Sequence, residues 1–160
     1  MLLLIDATSH LPLTAEGAPL LFPELPAGIE VTTRVQITPE VTAARLRSAS
    51  AADLAPRTGH ARNHADNYLV SRAVGLLAAR ERYAFDPTDG SPLTWGESGI
   101  VARGASGTPI FPRIDPCVIG VVEHAAGDRI LLGENRRRPG FFTCIAGYMD
   151  VGESAEDAFA

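Results

Sequence analysis

The feature that most constrains the fold lies near the C-terminal end of the sequence, where a strand, a turn and the start of a helix follow one another. The run from Phe141 to Ala146 is typical of a strand. Gly147 and Gly152 favour a turn directly after it. Ser154-Ala155-Glu156-Asp157 resembles a capping box that opens a helix. The order predicts a strand–turn–helix unit over about the last twenty residues.

Two further strands are expected before this unit. Cys117–Val122 is a continuous apolar run that indicates a buried strand, and Arg129–Gly133 indicates a second one after a turn at residues 125–128. Cys117 and Cys144 both lie in apolar runs, so we expect two buried thiols that act as small hydrophobic side chains. No disulfide framework is visible, which fits a reducing cytoplasm.

The N-terminal half predicts short strands and two helices. Strands are expected at 2–5, at 29–37 and, more weakly, at 20–22. A helix is expected over Glu40–Ser48, because Pro39 suits the first turn of a helix. Apolar residues at helical spacing predict a second helix from Asn67 to about Arg82. Its expected buried stripe consists of Leu69, Ala73, Leu76 and Leu77.

Composition excludes several classes of protein. Hydrophobic residues make up 46% of the 160 residues and the net charge is -5. Such a chain is neither disordered nor broadly basic, so a general nucleic-acid-binding surface is not implied. The apolar start of the chain meets Asp6 too early for a signal peptide or a membrane span. We therefore expect no membrane association and a cytoplasmic location.

The segment Ala146-Gly147-Tyr148-Met149-Asp150-Val151-Gly152-Glu153-Ser154 resembles the opening of the Nudix box. Gly147 is followed five residues later by Glu153, as the box requires. Seven spacer residues run to Ala160, and the resemblance implies that the Arg-Glu-aliphatic-x-Glu-Glu half follows them. The chain is therefore expected to be truncated inside the box. The plainer alternative is a strand–turn–helix unit with two turn glycines and an acidic first turn.

A second segment, Phe111-Pro112-Arg113-Ile114-Asp115-Pro116, resembles the linker that joins a zinc ribbon to the Nudix domain in NADH pyrophosphatases. The ribbon of that family holds zinc with two Cys-x-x-Cys knuckles. Here Asp86 and Asp89 align with the first knuckle, and the second, near Arg103 to Ser106, also lacks cysteine. We expect a ribbon that binds no structural zinc. Its expected anchors are three aromatic rings, those of Phe85, Trp95 and Phe111.

The resemblance implies an α/β fold with three parts. Residues 1–82 are expected to form an N-terminal α+β domain of the NADH pyrophosphatase type. Residues 83–114, rich in turn formers, are expected to form a degenerate zinc-ribbon-like module. Residues 115–160 are expected to form the front part of a Nudix α/β/α sandwich with a mixed sheet.

The resemblance also implies a reaction and its residues. The family hydrolyses the diphosphate bond of NADH or NAD⁺ to AMP and nicotinamide mononucleotide, and some members remove NAD caps from RNA. The expected cofactor is Mg²⁺ or Mn²⁺. Gly147, Gly152 and Glu153 form the front of the catalytic box, with Glu153 mainly structural, and the Ala146 carbonyl is a candidate metal ligand. The carboxylate ligands of the metal belong to the missing half of the box.

The resemblance places the substrate base against the rings of Phe111 and Tyr148, and implies a homodimer. Each ring is also consistent with a simple packing role. A related substrate, such as ADP-ribose or a diadenosine polyphosphate, stays open. Two alternatives remain for the chain as a whole: a non-catalytic nucleotide-binding module that resembles Nudix domains, and an inactive truncated product.

Overall fold

The computed structural model describes residues 1–96 and 99–160. They form two compact units, Met1–Pro112 and Arg113–Ala160. The strands of the first unit are β1 (Leu2–Ile5), β2 (His10–Pro12), β3 (Leu21–Phe22), β4 (Val31–Gln36), β5 (Thr42–Leu46), β6 (Thr58–His60), β7 (Thr94–Trp95) and β8 (Ala102–Arg103). Those of the second unit are β9 (Cys117–Gly120), β10 (Gly133–Glu134), β11 (Phe142–Thr143) and β12 (Ile145–Tyr148). The described residues contain one α-helix, α1 (Tyr68–Arg82), and short 3-10 helices at Ala51–Asp53, Ala61–His64 and Asp157–Phe159.

The first unit is built on a four-stranded mixed sheet with the order β3-β1-β5-β4. Strands β1 and β5 run parallel, whereas β3 and β4 pair antiparallel with their neighbours. One face of the sheet shares a core with α1, in which Leu3, Val35 and Leu77 are buried. The other face holds a smaller cluster around Leu4 and Leu46. The protein is therefore mixed α/β, while the Nudix sandwich stays a prediction.

The helix predicted over Glu40–Ser48 is wrong, because this segment forms the central strand β5. Ala43 lies in the core cluster on one face of the sheet and Ala44 in the cluster on the other, and both are fully buried. Their small side chains allow packing on both faces. Pairing with β1 on one side and β4 on the other then outweighs the local helical preference of an alanine-rich segment.

Helix α1 confirms the prediction for residues 67–82. The Asn67 side chain caps it, since its Oδ1 accepts the N–H groups of Leu69 at 3.0 Å and Val70 at 3.3 Å. Three residues of the predicted stripe are buried, namely Ala73, Leu76 and Leu77, and Leu69 is partly buried. No helix in the described ranges is long and apolar enough to cross a membrane.

The described residues between 83 and 112 form turns and short strands, and the zinc-ribbon-like module expected at 83–114 stays a prediction. Strand β7 pairs antiparallel with β8, and single bridges join Phe85 to Pro92 and Ala102 to Ile110. The predicted ring anchors are partly wrong: Phe85 and Phe111 are 65% and 59% exposed. Only the Trp95 ring is partly covered, with the Arg80 guanidinium carbon 5.4 Å from its centroid.

The second unit contains two antiparallel pairs, β9 with β12 and β10 with β11. The strand predicted at Arg129–Gly133 is wrong, because only a single bridge, from Ile130 to Glu123, forms within those residues before β10 begins at Gly133. The prediction of two buried thiols is also wrong, since Cys117 is exposed and Cys144 is half-buried. Hydrophobicity predicts burial only where a second layer covers the strand, and in this unit the apolar side chains of the strands are largely exposed.

Candidate functional site

The candidate site is the loop that follows β12. Strand β12 pairs with β9 so that Tyr148 lies opposite Cys117 and Gly147 opposite Val118. The next residue continues this pairing, because the Met149 N–H donates to the Pro116 carbonyl at 3.1 Å. The two strands therefore fix where the loop begins, and they bring it beside residues 113–116.

The loop itself is a closed turn from Asp150 to Glu153. The Glu153 N–H donates to the Asp150 carbonyl at 3.2 Å, and Glu153 Oε2 accepts the Asp150 N–H at 2.7 Å. The Val151 N–H donates to Asp150 Oδ1 at 2.7 Å. Gly152 has a φ of 88°, a left-handed conformation that favours glycine. Gly152 and Glu153, both part of the motif, thus shape the same turn.

An open cavity of about 600 Å³ lies beside this turn. It is lined by Arg113, Ile114, Asp115, Pro116, Tyr148, Met149, Asp150 and Val151. The sequence presents the linker residues 113–116 and the box residues 148–151 as separate motifs, more than thirty positions apart. The structure brings them together, which sequence reasoning missed. The pairing of β9 with β12 explains this meeting, because each strand adjoins one of the two motifs.

The cavity combines an aromatic ring with polar and apolar groups. The Tyr148 side chain is 78% exposed, so its ring is free to meet a planar ligand. The Arg113 guanidinium pairs with the Asp115 carboxylate on the same wall. Such a surface is suited to stacking an aromatic base beside polar atoms.

The other predicted site residues are placed as follows. Ala146 and Gly147 lie in β12 and are exposed. The turn expected at Gly147 is therefore wrong, because Gly147 pairs with Val118 and the strand continues to Tyr148. Phe111 lies in the first unit, and its ring is largely exposed. The stacking of one base between Phe111 and Tyr148 stays a prediction.

The described residues do not by themselves fit a Mg²⁺ or Mn²⁺ site. Such ions take several oxygen ligands, and the described ranges contain no group of three or more His, Cys, Asp or Glu side chains able to hold a metal ion. The Glu153 carboxylate already accepts a backbone N–H within its own turn. We derive no catalytic step through a metal from these side chains.

The predicted capping box forms after the turn. Asp157 Oδ2 accepts the Ser154 N–H at 3.2 Å, and Ser154 Oγ accepts the Asp157 N–H at 3.1 Å. The hydrogen bond from the Ser154 hydroxyl, followed by that from the Ser154 N–H, lowers the pKa of Asp157 below 3.8. The short 3-10 segment Asp157–Phe159 follows, but its N-cap residue is Glu156, which makes no side-chain capping hydrogen bond, so the prediction that Ser154 caps a helix is wrong. The Phe159 ring lies so close to Gly120 of β9 that it leaves no space for a Cβ atom there.

Several curated relatives of this chain are named NAD-capped RNA hydrolases. The NAD-capped RNA hydrolase NUDT12 of Homo sapiens is 39% identical over 101 residues, which are 56% of this chain and 22% of that protein. The protein of the same name from Macaca fascicularis is 40% identical over the same shares. The NAD-capped RNA hydrolase NudC of Mycobacterium tuberculosis (strain ATCC 25618 / H37Rv) is 34% identical over 100 residues, which are 61% of this chain and 32% of that protein.

The chain thus spans between about a fifth and a third of the length of these relatives. No protein-family model matches the chain. Over about 100 residues the chain is therefore similar to proteins named NAD-capped RNA hydrolases, with identities of 34–40%.

Proposed function

We propose that this chain carries a dinucleotide-binding part of a Nudix enzyme that hydrolyses the diphosphate bond of NADH or NAD⁺ to AMP and nicotinamide mononucleotide. The observation that carries the proposal is the cavity lined by the linker residues 113–116 and the box residues 148–151. The exposed Tyr148 ring lies in its wall. The names of the relatives favour an NAD-related substrate. A more specific version of this proposal is that the enzyme removes NAD caps from RNA.

Tyr148 is the residue proposed to bind the substrate base. Its ring stacks on an aromatic base and does not contact the phosphates, so it contributes to binding affinity and not to catalysis. Phe111 is proposed as a second stacking ring. The Arg113–Asp115 pair contributes by holding the wall of the cavity in place, and the Asp150–Glu153 turn sets the position of the loop.

Mg²⁺ or Mn²⁺ is the proposed cofactor of the parent enzyme, where it would supply positive charge to offset the charge on the diphosphate. The Ala146 carbonyl is proposed as one ligand. Because the described carboxylates do not fit a complete site, we propose that the 160-residue polypeptide binds the dinucleotide but does not hydrolyse it. A homodimer and a cytoplasmic location are part of the proposal by family resemblance.

The proposal is tested by titrating NADH into the 160-residue protein and following the anisotropy of the nicotinamide fluorescence. We expect Tyr148→Ala to raise the Kd about tenfold, which corresponds to about 1.4 kcal/mol of stacking. Tyr148→Phe keeps the ring and is expected to bind like the wild type. Tyr68→Ala, which removes another exposed ring from the first unit, is the matched control. Equal affinity of the wild type and Tyr148→Ala would refute the site.

A second measurement tests the proposed inactivity of the 160-residue polypeptide. The 160-residue protein is incubated with NADH and Mg²⁺ or Mn²⁺, and AMP is measured by chromatography. We expect no AMP release above background. Metal-dependent release that a chelator abolishes would contradict the proposed inactivity of this polypeptide.

A further inference from the structure

A cluster of hydrogen-bonded polar side chains joins two turns of the first unit, at residues 86–91 and 103–108. We call it the Asp86 cluster, and it consists of Asp86, Thr88, Asp89, Ser91 and Ser106. These turns are the segments that align with the two zinc knuckles of the related family. Asp86 is only 1% exposed, which is unusual for a carboxylate.

The first link between the turns is made by the Asp86 carboxylate. Its Oδ2 accepts the Ser106 hydroxyl at 2.6 Å, twenty residues along the chain. Its Oδ1 accepts the Thr88 N–H at 2.8 Å. The hydrogen bond from Ser106, followed by that from Thr88, holds the pKa of Asp86 below 3.8. The buried group is therefore a carboxylate anion whose two oxygens both accept hydrogen bonds.

The second link is made by Ser91. Its hydroxyl oxygen accepts the Ala105 N–H at 2.7 Å, and its hydroxyl hydrogen goes to Asp89 Oδ1 at 2.6 Å. The turns are also in close contact, since a Cβ atom on Gly104 would lie 2.7 Å from the Asp86 Cβ. Two independent hydrogen-bonded links therefore hold the turns together at the place where a metal ion holds them in a zinc ribbon.

The same residues do not fit a structural zinc ion. Such sites use cysteine thiolates or imidazoles in a closed tetrahedron. Both oxygens of Asp86 are already hydrogen-bonded. Arg103, at a position where the second knuckle aligns, carries a positive charge and donates to the Gly107 carbonyl at 2.5 Å. Its charge would repel a cation, and its donor groups have no lone pair to give.

We propose that the Asp86 cluster replaces the structural zinc of the family's ribbon, so that the turns at residues 86–91 and 103–108 are held together without metal. The buried anion and the hydroxyl and N–H donors around it supply the cross-link that thiolates and zinc supply elsewhere. This proposal uses the family resemblance only for the comparison with zinc, and it does not depend on the hydrolase activity.

Trp95 allows a direct test, because it is the one tryptophan in the sequence and lies in β7 of this module. Thermal unfolding is followed by its fluorescence, with and without EDTA, and bound zinc is measured by mass spectrometry after purification. We expect far less than one zinc ion per chain and the same unfolding midpoint with and without EDTA. One zinc ion per chain together with a midpoint that EDTA lowers would overturn the proposal.

Two variants test the cluster itself. Asp86→Ala removes both acceptors and is expected to lower the Trp95 midpoint by at least about 5 °C. Ser106→Ala removes one donor and is expected to lower it by less, which keeps the test decisive if Asp86→Ala does not fold. Asp66→Asn changes an exposed carboxylate of the same unit and is the control, with no expected change. A Ser106→Ala midpoint equal to that of the control would refute the role of the cluster.

Discussion

The Glu153 carboxylate accepts the backbone N–H of Asp150 at 2.7 Å, while the Glu153 N–H donates to the Asp150 carbonyl at 3.2 Å. These two bonds close the turn beside the candidate cavity from both ends. Among the described contacts, the role of Glu153 is therefore to hold the loop. A side chain that shapes a binding loop is expected to affect ligand affinity through loop order rather than through direct contact.

Replacement of Glu153 tests this role directly. Glu153→Ala removes the acceptor, so we expect the Asp150 amide hydrogen to exchange with solvent several-fold faster. Glu153→Gln keeps a carbonyl oxygen and is expected to exchange at nearly the wild-type rate. Hydrogen exchange measured by NMR resolves the Asp150 amide, and Glu156→Ala is the control, an exposed glutamate of the same unit. Unchanged exchange in Glu153→Ala would show that the bond does not order the turn in solution.

Gly120 is expected to tolerate no side chain, because the Phe159 ring occupies the space beside it. Gly120→Val should displace the ring and release the 3-10 segment Asp157–Phe159. The change should appear as altered NMR shifts for residues 157–159. In the presence of Phe159→Ala, the same replacement is expected to cause a much smaller change, and equal effects in both backgrounds would contradict the packing.

The cap of α1 gives a prediction about stability. Asn67→Ala leaves the N–H groups of Leu69 and Val70 without their side-chain acceptor, so we expect a loss of about 1 kcal/mol in the free energy of unfolding. Urea denaturation followed by circular dichroism measures this loss. Asn63→Ala is the matched control, since Asn63 is exposed. Equal losses for the two variants would argue against the cap.

The buried carboxylates predict sensitivity to acid. Burial raises the pKa of Asp6, but the N–H groups of Ala51 and His10 and the donors of Thr8 together outweigh it, so that this pKa lies below 3.8. The stability that a carboxylate with a lowered pKa contributes is present above its ordinary pKa and is lost as pH falls through the lowered value. We therefore expect the unfolding midpoint of the protein to fall as the pH drops below about 3.8. Both Asp6 and Asp86 contribute to this fall, because both have a lowered pKa.

The measurement is a series of thermal unfolding curves from pH 7 to pH 2. Asp6→Asn is expected to cost about 1–3 kcal/mol at pH 7, because the Ala51 N–H and the Thr8 and His10 donors lose a charged acceptor. The same variant should show a smaller decline in acid than the wild type. A decline of equal size in both proteins would show that Asp6 does not carry the effect.

The sequence by itself determined those elements whose signals are local. Helix α1 follows from the spacing of its apolar residues and from Asn67 as its cap, and β1 and β4 follow from short apolar or β-branched runs. The turn from Asp150 to Glu153 also follows from its own residues, because Gly152 supplies the left-handed conformation and Glu153 the acceptor.

Only the tertiary structure decided the remainder. Residues 42–46 lie in the helix predicted from Pro39, but pairing with β1 and β4 makes them a strand. How far the apolar side chains of the strands in the second unit are buried depends on which elements pack against them. Ser106 meets Asp86 across twenty residues, and Tyr148 shares a cavity with Arg113. Contacts between residues distant in sequence depend on how the chain pairs its strands and closes its turns, and no local pattern specifies that.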